Sequence, residues 1–519
     1  MKTITNFIRD NTPRYDEYLL RGFMNEQIAG AAEFVSTMFG EAVRLFCGVI
    51  TYNGYRVFSP ERRAEYELNA KDGCKVTTSD LLLVEYLFVY DDKEYSVPLY
   101  IPFLRNDVIL IEDTNYVLQR SIREQAFSRN ANGVTIKVIR QPIPFYYNTT
   151  YRLESVSDDW MSNEFVPTTS IHRKQRTNKR KMPNETIIHY LLCKFGLVTT
   201  LARFGLTKED CQFVSTISND REEYRYFSAR HAKNKQTIDL FLKISKEKLA
   251  QPNISKLIAS ILYTVSNVAF QRHNVDALYE PSGAVFRIML GRIIHGNGVS
   301  EIQGKKKVEA HIISVDTYLD PITKNRLSSY GIVVSDIYDL LQYVFVEIEK
   351  LSRVSHTDLY TTRIDYLEEL LVDTIVRGVY LRWYDVINRL GGVAEIGSKK
   401  FNDKEIRLIL KKIPDTLITR LSDSRVVQKS PPAYGDNALV GRLISKMRQS
   451  GLSASGNIIN SPDHKLHTSQ VVVESLNSYS KTNPGAAGSI NPYLSITNNG
   501  SIKRPNYANE IDELGKYLP

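Results

Sequence analysis

The amino-acid sequence predicts a multidomain α+β fold, and three observations carry that prediction. At 519 residues the chain is several times longer than a typical domain, so about two to four domains with ample core are expected. The apolar residues change period, from helical spacing over 27–46 to the alternating and continuous patterns of strands between 80 and 139. Helical period returns after 185 and is strongest over 364–390.

Taken in order, residues 27–46 place Ile28, Ala31, Phe34, Val35, Met38, Phe39, Val43 and Phe46 on one helical face. Residues 80–104 read as two strands joined by a polar Asp91-Asp92-Lys93 turn, with Pro98 and Pro102 pushing the second strand to a sheet edge. VILIED (108–113), YVLQ (116–119) and VTIKVI (134–139) continue the strand pattern. The sequence IHRKQRTNKRK (171–181) holds Arg173, Lys174, Arg176, Lys179, Arg180 and Lys181 with no acid. It reads either as a solvated loop or as one facing phosphates. Helices are expected at 185–196 and 255–270, then a β-rich stretch with a glycine turn at 291–298, a basic triplet at Lys305–Lys307, and helices at 336–352 and 364–390. Beyond about 420 the texture turns to Ser, Gly, Asn and Pro, too irregular for a core of its own, so that segment is expected to pack on something else.

Hydrophobic residues make up 42% and charged residues 24%, ordinary globular usage that excludes wholesale disorder. The net charge of +9 suits a polyanion partner without requiring one. Cys47, Cys74, Cys193 and Cys211 are too far apart for a zinc knuckle or a disulfide framework, which fits a reducing compartment. Arg9 and Asp10 fall where a signal peptide would need its apolar stretch, and no run of about 18 apolar residues occurs. The expectation is a soluble intracellular protein that does not engage a membrane.

Motifs for self-contained catalysis are missing. There is no Asp-x-Asp for a two-metal centre, no His-Glu-x-x-His, no phosphate-binding GxxxxGK[ST] loop and no nucleophile elbow. Gly296-Asn297-Gly298 lacks the third glycine of a dinucleotide loop, and His464 with His467 reads as ordinary surface. No catalytic residue and no metal ligand is assigned to the chain.

Taken in order, several segments resemble the N-terminal half of the β subunit of multisubunit DNA-directed RNA polymerase. EYSVPLYIPFL (94–104) is similar to that family's Y-x-x-P-L, and NDVILIEDTNYVLQRSIREQ (106–125) keeps the hydrophobic register of the segment that follows, without its two glycines and Glu-Arg pair. MPNETIIHYLLCKFG (182–196) resembles a lobe motif through Pro183, Thr186, Leu191 or Leu192, and Gly196. HTDLYTTRIDYLEELLVDTIVRGVYLRWYDVINRL (356–390) carries the firmest likeness, through Asp358, Arg363, Glu369-Leu370-Leu371, Arg377-Gly378 and Arg382. Its apolar stripe of Leu367, Leu370, Leu371, Ile375, Val379 and Trp383 also reads as plain core packing.

Residues 422–456 resemble the fork and rifampicin-pocket region through Gln428, Arg442, Ser445, Gly451 and Leu452, and 466–494 the segment that follows, through His467, Glu474, Gly485 and Asn491. Asn483-Pro484-Gly485-Ala486-Ala487-Gly488 stands where the family has a Pro-Glu-Gly turn. The extent of the likeness is similar to the split β genes of giant (jumbo) bacteriophages.

The resemblance implies an α+β chain with the first part of a protrusion at 1–150, a lobe at 151–355, the returning protrusion at 356–420, and a fork region at 421–519 that meets a C-terminal β fragment. It implies a non-catalytic subunit of a nucleotidyltransferase forming one wall of the DNA channel. Magnesium and its aspartates are then expected on a β′-like partner, with no cofactor on this chain. Expected partners are the C-terminal β-like fragment, β′-like fragments, a promoter-specificity subunit, double-stranded DNA and the RNA–DNA hybrid, in the host cytoplasm or the virion. Residues 421–460 carry five basic side chains against two acids. Arg442, Lys446, Arg448 and Lys429 are therefore candidate phosphate contacts, with Gln428, Arg377, Arg173, Lys174 and Arg176 beside them. Ser445, Glu474 and Asn491 are candidates for the active-centre fork. Pro431-Pro432-Ala433-Tyr434 and Val440-Gly441 replace the drug-binding pattern, so rifampicin insensitivity is expected. A basic virion structural or scaffold protein is the alternative, and a nucleic-acid-processing enzyme with an unrecognised site is a third.

Overall fold

The computed structural model describes residues 31–69, 81–102, 109–111, 114–118, 121–124, 126–130, 133–139, 142–171, 185–229, 240–266, 275–295, 301–328, 330–352, 359–364, 371, 375, 378–379, 382–383, 386–387, 400–411, 427–429, 444–447, 469–473, 488–489, 494–497 and 501–509. The fold is α+β. It divides into two compact units, Met1–Gln125 with Ser355–Gly391 and Glu395–Pro519, and Ala126–Val354 with Gly392–Ala394.

The first unit opens with α1 (Ala31–Ala42), which continues as a 3-10 turn to Phe46, then β1 (Thr51–Val57), α2 (Pro60–Asn69), β2 (Leu81–Tyr90) and β3 (Lys93–Pro102). The expected helix and hairpin are both present. Asp91 and Asp92 adopt positive φ of 50° and 57°, the two-residue geometry whose twist matches that of the flanking strands. The sheet order β1-β2-β3 leaves β3 at an edge, where the missing N–H groups of Pro98 and Pro102 are tolerated. Phe39 on α1 packs 4.9 Å, centroid to centroid, from Tyr86 on β2. Short strands β4 (Ile109–Ile111), β5 (Thr114–Leu118) and β6 (Ser121–Glu124) follow.

The second unit begins with β7 (Phe127–Asn130), β8 (Gly133–Lys137), β9 (Pro142–Tyr146), β10 (Thr150–Glu154), β11 (Met161–Phe165), β12 (Thr168–Thr169) and β13 (Glu185–Thr186). Five of these form one sheet in the order β13-β12-β9-β8-β7, while β10 and β11 make a separate ribbon. Helix α3 (Ile187–Arg203) supplies the centre of the core. Thr186 caps it by accepting a hydrogen bond from the His189 N–H at 3.0 Å. The helix breaks at Gly196, whose φ is 73°. A side chain there would also come 2.9 Å from the Pro281 carbonyl. Arg287 Nε donates to the Cys193 carbonyl at 2.9 Å beside the break. Strands β14 (Cys211–Val214), β15 (Tyr224–Ser228) and β16 (Phe241–Ser245) form a third sheet, followed by α4 (Lys246–Leu249) and α5 (Ile254–Val265).

One expectation is corrected here. The stretch read as β-rich around 291–298 is helical up to His295: α6 spans Ala284–His295, and α7 (Glu301–Asp316) follows. Val285, Phe286, Met289 and Leu290 are buried at helical spacing. Gly291 lets the two helices cross closely, because a Cβ on it would lie 3.1 Å from the Gly304 carbonyl oxygen. Glycine beside paired isoleucines looks like a strand and turn in sequence, and tertiary packing overrides that local preference. Helices α8 (Pro321–Ser328) and α9 (Ile337–Ser352) complete the unit.

The chain returns to the first unit through a 3-10 turn (Leu359–Thr361) and β17 (Thr362–Ile364). Leu371, Ile375, Val379 and Trp383 of the expected apolar stripe are buried, whereas Leu367 and Leu370 lie outside the described residues. Trp383 sits 5.3 Å from Phe46 and 5.7 Å from Phe88, so this stripe closes the core begun by α1. Helix α10 (Asp403–Lys411) is capped reciprocally: Asn402 Oδ1 accepts from the Glu405 N–H at 2.8 Å, and Glu405 Oε2 from the Asn402 N–H at 3.0 Å. Strands β18 (Val427–Lys429) and β19 (Ile444–Met447), helix α11 (Ser469–Val473) and β20 (Gly488–Ser489) end the series.

Candidate nucleic-acid interface

The segment beyond 420, expected to pack on something else, adds strands to sheets begun some three hundred residues earlier. β18 pairs antiparallel with β5, setting Gln428 opposite Val117 and Lys429 opposite Tyr116. β19 runs parallel to β6, with Lys446 opposite Ser121, and antiparallel to β20, with Ser445 opposite Gly488. β17 flanks β6 on its other side and sets Arg363 opposite Arg123. The result is a four-stranded sheet, β17-β6-β19-β20, and a three-stranded one, β18-β5-β4. Strands of two to five residues gain little stability alone, so each depends on neighbours supplied from elsewhere in the chain.

The support beneath β17 is specific. Ser469 Oγ on α11 accepts a hydrogen bond from the Leu359 N–H at 2.8 Å, and Thr362 Oγ1 donates to the Leu359 carbonyl at 2.6 Å. Arg363, one of the residues that carry the resemblance, is only 6% exposed and bridges to Ser501. The Arg504 guanidinium lies 5.6 Å above the Tyr360 ring.

Of the residues singled out in sequence, Gln428 and Lys429 stand on β18, and Ser445 and Lys446 on β19. The structure thus puts the first pair and the second pair in different sheets of the same unit. Arg442, Arg448, Arg377, Arg173, Lys174, Arg176, Glu474 and Asn491 lie outside the described residues. Sequence reasoning passed over the opposition of Arg123 and Arg363, which brings two basic positions into register one strand from Lys446. SIRE (121–124) and TRI (362–364) are not singled out as strands in sequence, and only the pairing reveals the opposition.

Elsewhere the charges serve the fold. In the second unit Lys194 pairs with Asp316 at 2.7 Å, Arg225 with Asp158 at 3.0 Å, and Arg203 with Asp339 at 2.5 Å. Hydrogen bonds from Lys243 and Tyr226 hold the Asp220 carboxyl below the usual carboxylate range. Lys305 and Lys307 of the basic triplet are exposed on α7. Among the described residues no group of three or more His, Cys, Asp and Glu side chains could hold a metal ion, and no helix is long and apolar enough to cross a membrane.

The chain is an α+β protein of two units, the first with sheets assembled from segments hundreds of residues apart. A family model for non-virion RNA polymerase subunits matches residues 25–512, and the chain belongs to that family. A search of curated protein sequences finds no match. The protein is therefore a subunit of a multisubunit RNA polymerase of phage origin, and other polymerase subunits are its partners. The alternative of a virion structural or scaffold protein is set aside by the same match.

Proposed function

We propose that the chain is the N-terminal part of the β-type large subunit, forming one wall of the DNA channel and the fork beside the active centre. The observation that supports this reading is the sheet β17-β6-β19-β20. Segments that the resemblance assigns to the first part of the protrusion (106–125), to its returning part (356–390) and to the fork (422–456) each contribute a strand to it. Convergence of these segments in one unit is what a fork built on a returning protrusion requires.

On this reading Arg442, Lys446 and Arg448, helped by Lys429, neutralise phosphates of the template and the RNA–DNA hybrid without reading bases. Arginine at 442 and 448 suits forked contacts to phosphate oxygens. Arg173, Lys174 and Arg176 face downstream DNA, and Arg377 is a further nucleic-acid contact. Gln428 is a further nucleic-acid contact, and Ser445, Glu474 and Asn491 belong to the active-centre fork. The donor set does not fit catalytic magnesium, since the sequence has no Asp-x-Asp. The metal and its carboxylates belong to a β′-like partner, and no step on this chain runs through them. The remaining partners are a C-terminal β-like fragment and a promoter-specificity subunit, assembled in the cytoplasm of the infected host.

The test is a photo-crosslinking amino acid at position 446 of the assembled polymerase, stalled on a bubble template. Crosslinks to the template strand or to RNA within the hybrid are expected. Crosslinks confined to protein would reject the assignment of the fork.

A further inference from the structure

The ribbon of β10 and β11 in the second unit has one face on α5 and, among the described residues, one edge without a partner strand. Leu153 is fully buried, and Tyr151 meets Tyr263 of α5 edge to face at 6.2 Å. The outward residues are Arg152, Glu154, Met161, Asn163 and Phe165, with Met161 59% and Phe165 40% exposed. Tyr147 stacks on Phe165 at 4.4 Å, which fixes an aromatic surface at the end of the ribbon.

The backbone hydrogen bonds decide what the open edge can do. Ser155 donates to the Trp160 carbonyl at 3.0 Å, and Val166 to the Thr149 carbonyl at 2.8 Å. With the ribbon's uninterrupted register, bonded pairs in an antiparallel ladder alternate with non-bonded ones. Thr150–Phe165, Arg152–Asn163 and Glu154–Met161 are therefore the non-bonded pairs. The N–H and C=O groups of Met161, Asn163 and Phe165 accordingly point away from β10. On the β10 side, β15 closes part of the edge, through a bridge from Ser155 to Phe227 and a bond from the Val156 N–H to the Tyr226 carbonyl at 2.8 Å. Among the described residues no strand pairs with the outer edge of β11.

Free edges are normally blunted by proline, lysine or a bulge. The edge strand β3 carries two prolines, and the edge strand β1 has a register break between Tyr52 and Tyr55. β11, Met-Ser-Asn-Glu-Phe, has none of these, and its one charge, Glu164, accepts a hydrogen bond from Ser162 on the ribbon's other face.

We propose that β11 is the docking edge for an extended segment of another subunit of the polymerase, added as a third antiparallel or parallel strand. The pairing groups at 161, 163 and 165 call for a strand of about five residues at the usual spacing of about 4.8 Å. Its side chains on the outer face are apolar, polar, apolar at alternate positions, to lie beside Met161, Asn163 and Phe165. At the turn end Glu154 is paired with Arg152 at 3.7 Å, so exposed Asp159 is the charge that favours a lysine or arginine at that end of the incoming segment. One basic side chain, Arg152, stands against two acids, Glu154 and Asp159, so the ribbon offers no excess of base to draw a nucleic acid. The proposal rests on membership of a polymerase-subunit family, not on the β-type role proposed above. RNA crosslinking at 446 and docking at β11 can therefore fail separately.

The test compares amide hydrogen exchange in the full chain alone and in the assembled polymerase. On assembly the amides of Met161, Asn163 and Phe165 are expected to slow at least tenfold, while those of Ser162 and Glu164, already bonded to β10, change little. Asn163→Pro removes an outward N–H and no ladder bond, and Phe165→Lys places a charge on the edge. Each variant, with a thermal midpoint equal to the parent's, is expected to be at least tenfold under-represented when it competes with the parent chain for assembly. Equal exchange in both states, or equal competition by both variants, overturns the proposal. So does concentration-dependent protection in a dimer of the isolated chain, or protection that appears only when DNA is added.

Discussion

His189 shows how a single residue links the fold of the second unit to pH. It is fully enclosed, its Nε2 lies 2.8 Å from the Phe286 carbonyl, and burial lowers its pKa from 6.5 to about 4. Between those values the unfolded chain binds a proton that the folded chain refuses, so stability is complete above pH 6.5 and falls as the pH drops toward 4. A difference of that size corresponds to about 3 kcal/mol. Urea unfolding at pH 7 and pH 4.5 should show most of that loss in the parent chain and much less in His189→Gln, whose amide can still donate to Phe286; parallel acid slopes would refute the assignment. Gly196 makes a different residue-scale case. Alanine there must take a φ of 73° and approach the Pro281 carbonyl, so Gly196→Ala is expected to cost about 1–3 kcal/mol in the same assay. A change below about 0.5 kcal/mol would mean that the kink relaxes freely. Thr186 and Gly196, both singled out in sequence, act in the structure as the cap and the kink of α3.

At the scale of elements, the strands beyond 420 and their hosts stabilise each other. Removing residues 421–519 would strip β18 from β5 and β19 from β6, leaving open edges in the first unit. The truncated chain 1–420 is expected to aggregate, whereas the fragment 126–354, which holds nearly all of the second unit in one continuous stretch, should be monomeric and unfold cooperatively. Light scattering and thermal unfolding would check both, and a soluble, cooperative 1–420 would contradict the dependence. The same pairings explain what was legible in sequence. Hairpin β2–β3 and the stripe ending at Trp383 announce themselves through local period and a turn. Strands such as Ile-Ser-Lys-Met and Gly-Ser are too short to carry a period, and their partners are hundreds of residues away. The change of unit at Gln125–Ala126 falls inside a stretch of uniform strand texture, where no local signal marks it. The α6–α7 region misled for the opposite reason: its local pattern resembled a strand, and packing on α3 made it helical.

The whole molecule is a polymerase subunit whose net charge of +9 is modest when averaged over the chain. On the proposed β-type reading, in which Pro431-Pro432-Ala433-Tyr434 and Val440-Gly441 stand in place of the drug-binding pattern, rifampicin at doses that stop bacterial polymerase is expected to leave RNA synthesis by the assembled enzyme unchanged; inhibition would reject the alignment of 422–456. The phosphate contacts can be counted directly through salt. Each side chain that neutralises a DNA phosphate releases condensed counterions, and the logarithm of affinity falls with the logarithm of salt by about 0.9 per contact on duplex DNA and about 0.7 on single strands. If Arg442, Lys446 and Arg448 all face phosphates, the triple alanine variant in the assembled polymerase should lower the magnitude of that slope by roughly 2–3. Binding should weaken about equally on unrelated template sequences, since phosphate contacts carry no base information. Variants at Lys194 or Arg203, whose charges are already paired with Asp316 and Asp339, should leave the slope unchanged and so control for general loss of positive charge. A triple variant that assembles normally but keeps the parent's salt slope would show that the basic excess of 421–460 faces protein rather than nucleic acid, and would leave the fork strands a structural role alone.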